Sequence, residues 1–147
     1  MSNLSLEFLK PETVREADFR AIRALTSVLR DGRSADDVTF ERVIFAARNS
    51  TIVVVRRKST LIVGMATLTG YATVSGYCCW IEDVVLAKPY RGHGYGRKMI
   101  DILLSRAAES SAEEVWLTSN SRRKIAQTMY KSLGFEEYPT VVFRRPL

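Results

Sequence analysis

A glycine-rich segment, Arg91-Gly92-His93-Gly94-Tyr95-Gly96, lies between an apolar run that ends at Leu86 and a helical pattern that begins near Arg97. A turn that joins a strand to a helix in this way leaves the first backbone N–H groups of the helix without intrahelical partners and directs them at one point. The positive end of the helix dipole acts at the same point. The segment therefore predicts an anion site, above all for a phosphate, and Arg91, Arg97 and Lys98 add positive charge around it.

The spacing of the glycines excludes the commoner nucleotide-binding loops. A dinucleotide fingerprint that starts at Gly92 requires a glycine where Arg97 stands, and the pattern G-x-x-x-x-G-K-[ST] does not occur in the chain. Glycine permits positive φ and a close approach of the backbone to a ligand. The alternative interpretation is a glycine-rich turn that binds nothing.

Two motifs in this order resemble those of the GNAT superfamily of acyl-CoA-dependent N-acyltransferases. The first is R-x-x-G-x-G directly after residues 81–86, and the second is Ala126-x-x-x-Tyr130-x-x-x-Gly134-Phe135. The likeness is close from about Tyr77 to Phe135 and is limited to the order of elements before that. It implies an N-acetyltransferase that uses acetyl-CoA as acyl donor.

The resemblance also implies which residues hold the donor. The main chains of one strand would bind the pantetheine amides, and the glycine loop would bind the pyrophosphate. These two groups are Val84, Val85 and Leu86, and Arg91, Gly92, His93, Gly94, Tyr95, Gly96 and Arg97. An extended amide chain satisfies backbone groups that a diverging strand leaves unpaired.

Two side chains are candidates for the chemistry. Glu82 is the candidate base that takes the proton of the acceptor amine, and the alternative is a structural or substrate-orienting carboxylate. Asp83 would point to the opposite face of a regular strand, so a β-bulge is needed for both carboxylates to reach one cleft. Tyr130 matches the family tyrosine that approaches the sulfur of coenzyme A, where its O–H assists the leaving thiolate.

The chain departs from the family pattern at one position. Many relatives carry asparagine seven residues before the tyrosine, where this chain has Arg123. That residue puts one hydrogen bond to the donor in doubt, although an arginine can approach a phosphate. Asn120 is a candidate substitute from the preceding loop.

The coarse order of elements predicts a mixed α/β fold, a mostly antiparallel twisted sheet flanked by helices, in a single domain over residues 1–147. Hydrophobic periodicity indicates strands that alternate with helices along the chain. The strands are expected at 4–8, 51–55, 61–68, 77–86, 115–117 and 141–143, and the helices before Asp31, at 38–49, from about 97 and at 122–133. Residues 70–76 are expected to form a turn region.

Composition limits the possible partners. The net charge of +6 raises the possibility of nucleic-acid binding, but the basic residues are spread along the chain without a recognised reading motif, so we expect none. Cys78 and Cys79 are adjacent on a predicted strand, which excludes a disulfide between them and indicates a cytoplasmic setting. His93 lacks metal-ligating neighbours, and we expect neither a metal nor a membrane span.

The sequence therefore predicts an enzyme that acetylates a primary amine of a small molecule by direct attack in a ternary complex, with a homodimer favoured by the resemblance. Residues 81–85 also look like a stretch of glucosamine-phosphate N-acetyltransferases, which makes an amino-sugar phosphate one possible acceptor. Two alternatives remain open: a peptide or protein N-acetyltransferase, and a non-catalytic acyl-CoA sensor.

Overall fold

Five strands form one sheet in the order β1-β2-β3-β4-β5. The computed structural model of the protein describes residues 3–147. The strands are β1 (Leu4–Phe8), β2 (Thr51–Arg57), β3 (Leu61–Thr73), β4 (Gly76–Leu86) and β5 (Glu114–Trp116). The first three pairings are antiparallel and the last, β4 with β5, is parallel. The prediction of a mixed, mostly antiparallel sheet is confirmed.

Four helices flank this sheet. They are α1 (Glu16–Leu29), α2 (Phe40–Asn49), α3 (Tyr95–Glu109) and α4 (Lys124–Ser132), with short 3-10 turns at Pro11–Thr13 and Lys88–Tyr90. The Thr39 side chain caps α2 by accepting a hydrogen bond from the Arg42 N–H, so this helix starts two residues later than the apolar pattern predicts. No helix of residues 3–147 has the length and apolar character needed to cross a membrane.

The helices bury both faces of the sheet. Ile22 and Leu25 of α1 and Val43 of α2 pack on one face, in a core that includes Val54. Met99, Ile100, Leu103 and Ala107 of α3 pack on the other face, with Val53 and Val55. Because successive strand side chains point to opposite faces, β2 is a continuous run of buried valines.

The hairpin between β3 and β4 is longer than predicted. In place of the turn expected at residues 70–76, β3 continues to Thr73, which pairs with Gly76 across a two-residue turn. Gly70 lies in the strand opposite Cys79, where the Tyr77 side chain occupies the space that a Cβ would need. The glycine therefore makes room for an aromatic ring and does not end the strand.

The expected final strand at residues 141–143 is wrong. These residues form no strand, and Val141, Val142 and Phe143 are 72%, 70% and 91% exposed. The β-branched and aromatic types favour a strand only where they have a partner and a surface to cover. The nearest edge, β5, is three residues long, and the chain that follows α4 instead places Tyr138 edge-on against Trp116.

A buried ion cluster fixes the start of α1 to the sheet. Asp18 is 0% exposed and Arg56, on β2, is 5% exposed. The Asp18 carboxylate accepts hydrogen bonds from Arg56 and Arg15, and Arg56 also pairs with Glu7 of β1. Burial opposes ionisation of Asp18, but the two guanidinium groups outweigh it, and the pKa of Asp18 falls from 3.8 to about 2.

We expect Asp18→Asn to lower the free energy of unfolding by about 3–5 kcal/mol, because Arg56 would then be a buried charge without its main partner. Urea unfolding at pH 7 measures this. The matched control is Asp36→Asn, which removes an exposed ion pair with Arg23 and should lower the free energy of unfolding far less. Equal losses in the two variants would contradict the role given to the cluster.

The same cluster predicts a pH dependence. Since the folded pKa of Asp18 lies below the unfolded value, its contribution is complete above about pH 5 and is lost as the pH falls towards 2. A shift from 3.8 to about 2 corresponds to about 2 kcal/mol. Unfolding curves between pH 5 and 2 should show this loss in the wild type and not in Asp18→Asn.

Candidate functional site

The glycine loop forms a cradle of unpartnered backbone donors. Gly92 and Gly94 have φ of +80° and +79°, and α3 begins directly after Gly94 with no side-chain cap. Within the described chain, none of the backbone N–H groups of residues 92–97 donates to a protein acceptor. A Cβ at Gly92 or Gly94 would meet nothing within 4 Å, so the space before these donors is open to a ligand. The arrangement is suited to an anion.

The conformation of Gly96 differs from that of the other two glycines. It lies inside the first turn of α3 with an ordinary helical backbone, and a Cβ there would stand 3.5 Å from the Met129 sulfur. Positive φ is therefore required at Gly92 and Gly94 only. The contribution of Gly96 is the close packing of α4 against the loop.

The basic residues of the loop make contacts of their own. Arg91 donates its Nε–H to the Leu86 carbonyl at 2.8 Å, and Arg97 donates to the Ser132 hydroxyl at 2.8 Å. The Lys98 ammonium lies 4.9 Å from the centre of the Tyr95 ring, and His93 is exposed. These contacts tie the loop to the end of β4 and to α4 while leaving positive charge around the cradle.

The sheet divides beside this loop. Strands β4 and β5 pair only at Cys78–Glu114, Cys79–Val115 and Trp80–Trp116. After Trp80 the outer edge of β4 has no strand partner among the described residues, whereas its inner edge stays paired with β3 as far as Leu86. The predicted donor-binding residues Val84, Val85 and Leu86 therefore line a gap between β4 and the segment that leads from β5 to α4.

A β-bulge interrupts β4 where the two carboxylates lie. Thr67 of β3 pairs with Glu82 and Met65 pairs with Val85, so Asp83 and Val84 stand opposite a single residue. Asp83 has φ of +55°, the left-handed conformation that aspartate tolerates better than most residues. Consequently Ile81 packs on the α3 side whereas Val85 packs on the α1 side. The sequence required a bulge here for both carboxylates to reach one cleft, and the structure has one.

Both carboxylates have elevated pKa values. Desolvation by the surrounding protein raises the pKa of Glu82, and the negative charge of Asp83 raises it further. Desolvation also raises the pKa of Asp83, while the Thr67 hydroxyl and the Arg30 charge act in the opposite direction. Neither carboxylate has an ion-pair partner within 4 Å among the described residues. Elevated values suit a proton acceptor that works near neutral pH.

Tyr130 lies on the other side of the sheet. Its side chain is 8% exposed, packs edge-on against Phe135 and belongs to the core beneath α3. Burial raises the pKa of Tyr130, against an opposing effect of Arg123, so the phenol keeps its proton at neutral pH. Its hydroxyl makes no hydrogen bond to another described residue. An O–H that keeps its proton and has no acceptor among the described residues can donate a hydrogen bond to a departing thiolate.

Glu82 and Tyr130 approach the gap from opposite faces. Glu82 follows the alternation of β4 and lies on the α1 side, whereas Tyr130 belongs to the α3 side. A continuous sheet would separate them. Because β4 and β5 part after Trp80, the sheet is not continuous at this point.

The start of α4 closes the far end of this gap. The Arg123 guanidinium donates to the Leu29 carbonyl at the end of α1, 3.0 Å away, and Arg122 pairs with Asp31 at 3.5 Å. The Asn120 side chain accepts from the Arg122 N–H and so stabilises the turn before α4. Of the two residues considered as substitutes for the family asparagine, Arg123 thus joins α4 to α1, and Asn120 holds the turn before α4.

Sequence reasoning leaves one part of the site undefined. Thr69, Tyr71, Trp80 and Glu82 line an open concavity of about 450 Å³ on the α1 side of the β3–β4 hairpin. The sequence pattern places Tyr71 in a turn, and it leaves Trp80 undecided between a cleft residue and a core residue. The sequence feature that could have indicated this concavity is the spacing of Trp80 and Glu82, because residues two apart on a strand have their side chains on the same face.

No group of three or more histidine, cysteine, aspartate and glutamate side chains within residues 3–147 is arranged to hold a metal ion. Cys78 and Cys79 are both free thiols.

Together, the sheet and the loop define an α/β protein with a glycine-rich turn of unpartnered backbone donors beside a divided sheet. The sequence profile of the acetyltransferase (GNAT) family matches residues 16–135. The chain belongs to this family. No curated protein matches it by sequence.

Solved structures share the fold over nearly the whole chain. An aminoglycoside acetyltransferase from an uncultured soil metagenomic sample, in complex with trehalose, has a TM-score of 0.84 at 19% identity, covering 98% of this chain and 96% of that one. Glucosamine-6-phosphate N-acetyltransferase from Arabidopsis thaliana has a TM-score of 0.75 at 15% identity, with coverages of 98% and 99%. The aminoglycoside N-acetyltransferase AAC(6')-Iy in complex with CoA has a TM-score of 0.77 at 16% identity, with coverages of 97% and 94%.

The bulge predicts electrostatic coupling of the two carboxylates. We expect Asp83→Asn to lower the pKa of Glu82, because the substitution removes a neighbouring negative charge and asparagine tolerates the left-handed backbone. Carboxyl carbon shifts, followed by NMR from pH 3 to 9, measure the change. Asp101→Asn, on the exposed side of α3, is the control and should leave the Glu82 titration unchanged. An unaltered Glu82 pKa in Asp83→Asn would contradict the coupling.

Proposed function

We propose that the protein transfers the acetyl group of acetyl-CoA to a primary amine of a small molecule, by direct attack in a ternary complex. The observation that carries this proposal is the set of unpartnered N–H groups at residues 92–97, placed beside the gap that β4 and β5 leave. The proposal covers residues 1–147 as one acetyltransferase domain.

The residues present suit the donor. The open space before Gly92 and Gly94 admits a pyrophosphate against the backbone, and Arg91 and Arg97 supply positive charge beside it. His93 and Tyr95 contribute through their main chains. Val84, Val85 and Leu86 offer an unpaired strand edge to the pantetheine amides, although the Leu86 carbonyl already accepts one bond from Arg91. Acetyl-CoA, when bound, supplies an activated thioester.

Glu82 and Tyr130 then divide the proton transfers. The Glu82 carboxylate takes a proton from the acceptor ammonium, directly or through water, and so frees the lone pair for attack. The new C–N bond forms as the C–S bond breaks, and the attacking nitrogen releases its second proton to solvent as the amide forms. The Tyr130 O–H faces the departing sulfur from the α3 side and donates its hydrogen bond, or its proton, to the thiolate.

The size of the concavity favours a small molecule as acceptor. An open volume of about 450 Å³ beside Glu82 accommodates a compact amine.

We also propose a cytoplasmic setting, in which the free thiols of Cys78 and Cys79 stay reduced, and a homodimer. Analytical ultracentrifugation at micromolar concentration tests the dimer, and a single monomeric species would contradict it.

We expect Gly94→Val to weaken CoA binding by at least about tenfold, because valine is strained at φ of +79° and its side chain fills the space before the donors. Titration calorimetry with CoA measures this. Gly32→Val is the matched control: Gly32 has φ of +86° and equally open surroundings but lies after α1, outside the loop.

Thermal melting should show similar destabilisation in both glycine variants, and Gly94→Ala replaces Gly94→Val if the latter does not fold. Equal CoA affinity in the wild type and a folded Gly94 variant would contradict the phosphate site.

We expect Tyr130→Phe to lower kcat by about 10²–10⁴-fold while CoA affinity stays nearly unchanged, since the O–H contact strengthens only as charge develops on the sulfur. Free thiol release from acetyl-CoA with an amine acceptor measures kcat. Tyr95→Phe is the control, because Tyr95 acts in the loop through its backbone. A fully active Tyr130→Phe enzyme would contradict the assignment of Tyr130 as the acid.

The base assignment predicts a pH effect of definite sign. Glu82 must be ionised to accept a proton, and its raised pKa places the acidic limb of the pH–rate profile above that of an ordinary glutamate. Glu82→Gln should abolish this limb and recover part of its rate at high pH, where free amine is abundant. If Glu82→Gln keeps the wild-type rate and pH–rate profile, Glu82 is not the base and its role is structural.

A further inference from the structure

The concavity beside Glu82 has an unusual balance of groups. Its walls are the aromatic side chains of Tyr71 and Trp80, with Thr69 between them and the carboxylate of Glu82 at one end. Trp80 also stacks on Trp116 of β5, with ring centres 6.0 Å apart and planes inclined by 18°, which fixes the indole in place. The walls are therefore rigid and largely aromatic.

Several polar groups of these walls bond with one another or with a neighbouring side chain. The Trp80 indole N–H donates to the Tyr71 hydroxyl at 3.0 Å, and the Thr69 hydroxyl bonds with the Ser50 hydroxyl at 2.9 Å. Among the lining side chains, that of Glu82 alone makes no hydrogen bond to a described residue. A ligand in the concavity thus meets the carboxylate of Glu82, the hydroxyl hydrogen of Tyr71 and otherwise mainly ring surface.

The acidic residues of the neighbouring segment are neutralised. Between α1 and α2, Asp31, Asp36 and Asp37 each pair with an arginine side chain. At the bulge, by contrast, the charge of Arg30 acts on Asp83 without an ion-pair contact within 4 Å. Besides Glu82, Asp83 is the one further carboxylate among these that has no ion pair, so a ligand with more than two positive charges would lose hydration at the others without a partner.

From this balance, and resting on the proposed function, we propose that the acceptor is a monocationic amine carried on a flat apolar body, of the arylalkylamine class. The ammonium pairs with Glu82, and the ring lies against Trp80 and Tyr71. Polycationic amines and polyhydroxylated amino sugars are disfavoured, because the largely aromatic walls offer few partners for their additional polar groups.

Thiol release from acetyl-CoA tests this with three acceptors: phenethylamine, glucosamine and the polycationic aminoglycoside kanamycin. We expect kcat/KM for phenethylamine to exceed the values for the other two by at least about tenfold. Trp80→Leu should raise the KM for phenethylamine by about tenfold with little change in kcat, and Trp80→Phe should recover most of the loss. CoA affinity should stay at the wild-type value in both variants.

Phe143→Leu is the matched control, because it removes an exposed aromatic side chain outside the concavity and should leave the KM unchanged. Acetylation that favours kanamycin or glucosamine, with no effect of Trp80→Leu, would overturn the inference and leave the proposed function standing.

If none of the amines is acetylated, the proposed function fails for them, and binding decides the inference separately. Calorimetric titration of phenethylamine into the CoA-saturated protein should then show binding that Trp80→Leu weakens. Absence of such binding, or equal binding by Trp80→Leu, would overturn the inference.

Discussion

The early separation of β4 from β5 is the constraint on which the site depends. Only three residue pairs join these strands, and beyond them the β4 edge is free within the described chain while its other edge stays held by β3. A sheet that remained paired would place Glu82 and Tyr130 on opposite sides of a continuous barrier. The gap makes one location accessible from both faces, and the glycine loop lies at the end of the same strand.

The backbone and the side chains have separate tasks in this arrangement. The anion cradle consists of main-chain N–H groups that the left-handed conformations of Gly92 and Gly94 turn towards open space. The groups proposed for proton transfer are side chains whose pKa values the protein raises by desolvation. Backbone binding requires few particular residue types, which is consistent with a shared fold at 15–19% identity among the structures compared.

The sequence predicted the parts of the fold that local patterns determine. The glycine loop, the helix after it and the buried valines of β2 follow from spacing and periodicity, because each signal lies within a few neighbouring residues. The need for a bulge at Asp83 was also visible, since two adjacent carboxylates cannot otherwise share a face. The prediction of a final strand was wrong for the opposite reason. Val141, Val142 and Phe143 have strand propensity, but pairing depends on an edge strand elsewhere in the chain, β5, which is only three residues long.

The residues that sequence reasoning missed depend on tertiary contacts. Tyr71 joins the concavity only because β3 continues past Gly70, and that continuation depends on the Tyr77 side chain packing over the glycine. The contact of Arg123 with Leu29 joins residues far apart in the chain, and the ion cluster of Asp18 with Arg56 does the same. No local pattern in the sequence reports such pairs.

The measurement that tests the central claim most directly is a titration of the ¹⁵N-labelled protein with CoA, followed through the amide signals of the glycine loop. We expect the amide protons of residues 92–97 to move downfield and saturate together as they donate to the pyrophosphate, while the amides of Gly32 and Gly134 stay in place. Saturable binding of CoA that leaves the signals of Gly92, Gly94 and Gly96 unchanged would contradict it.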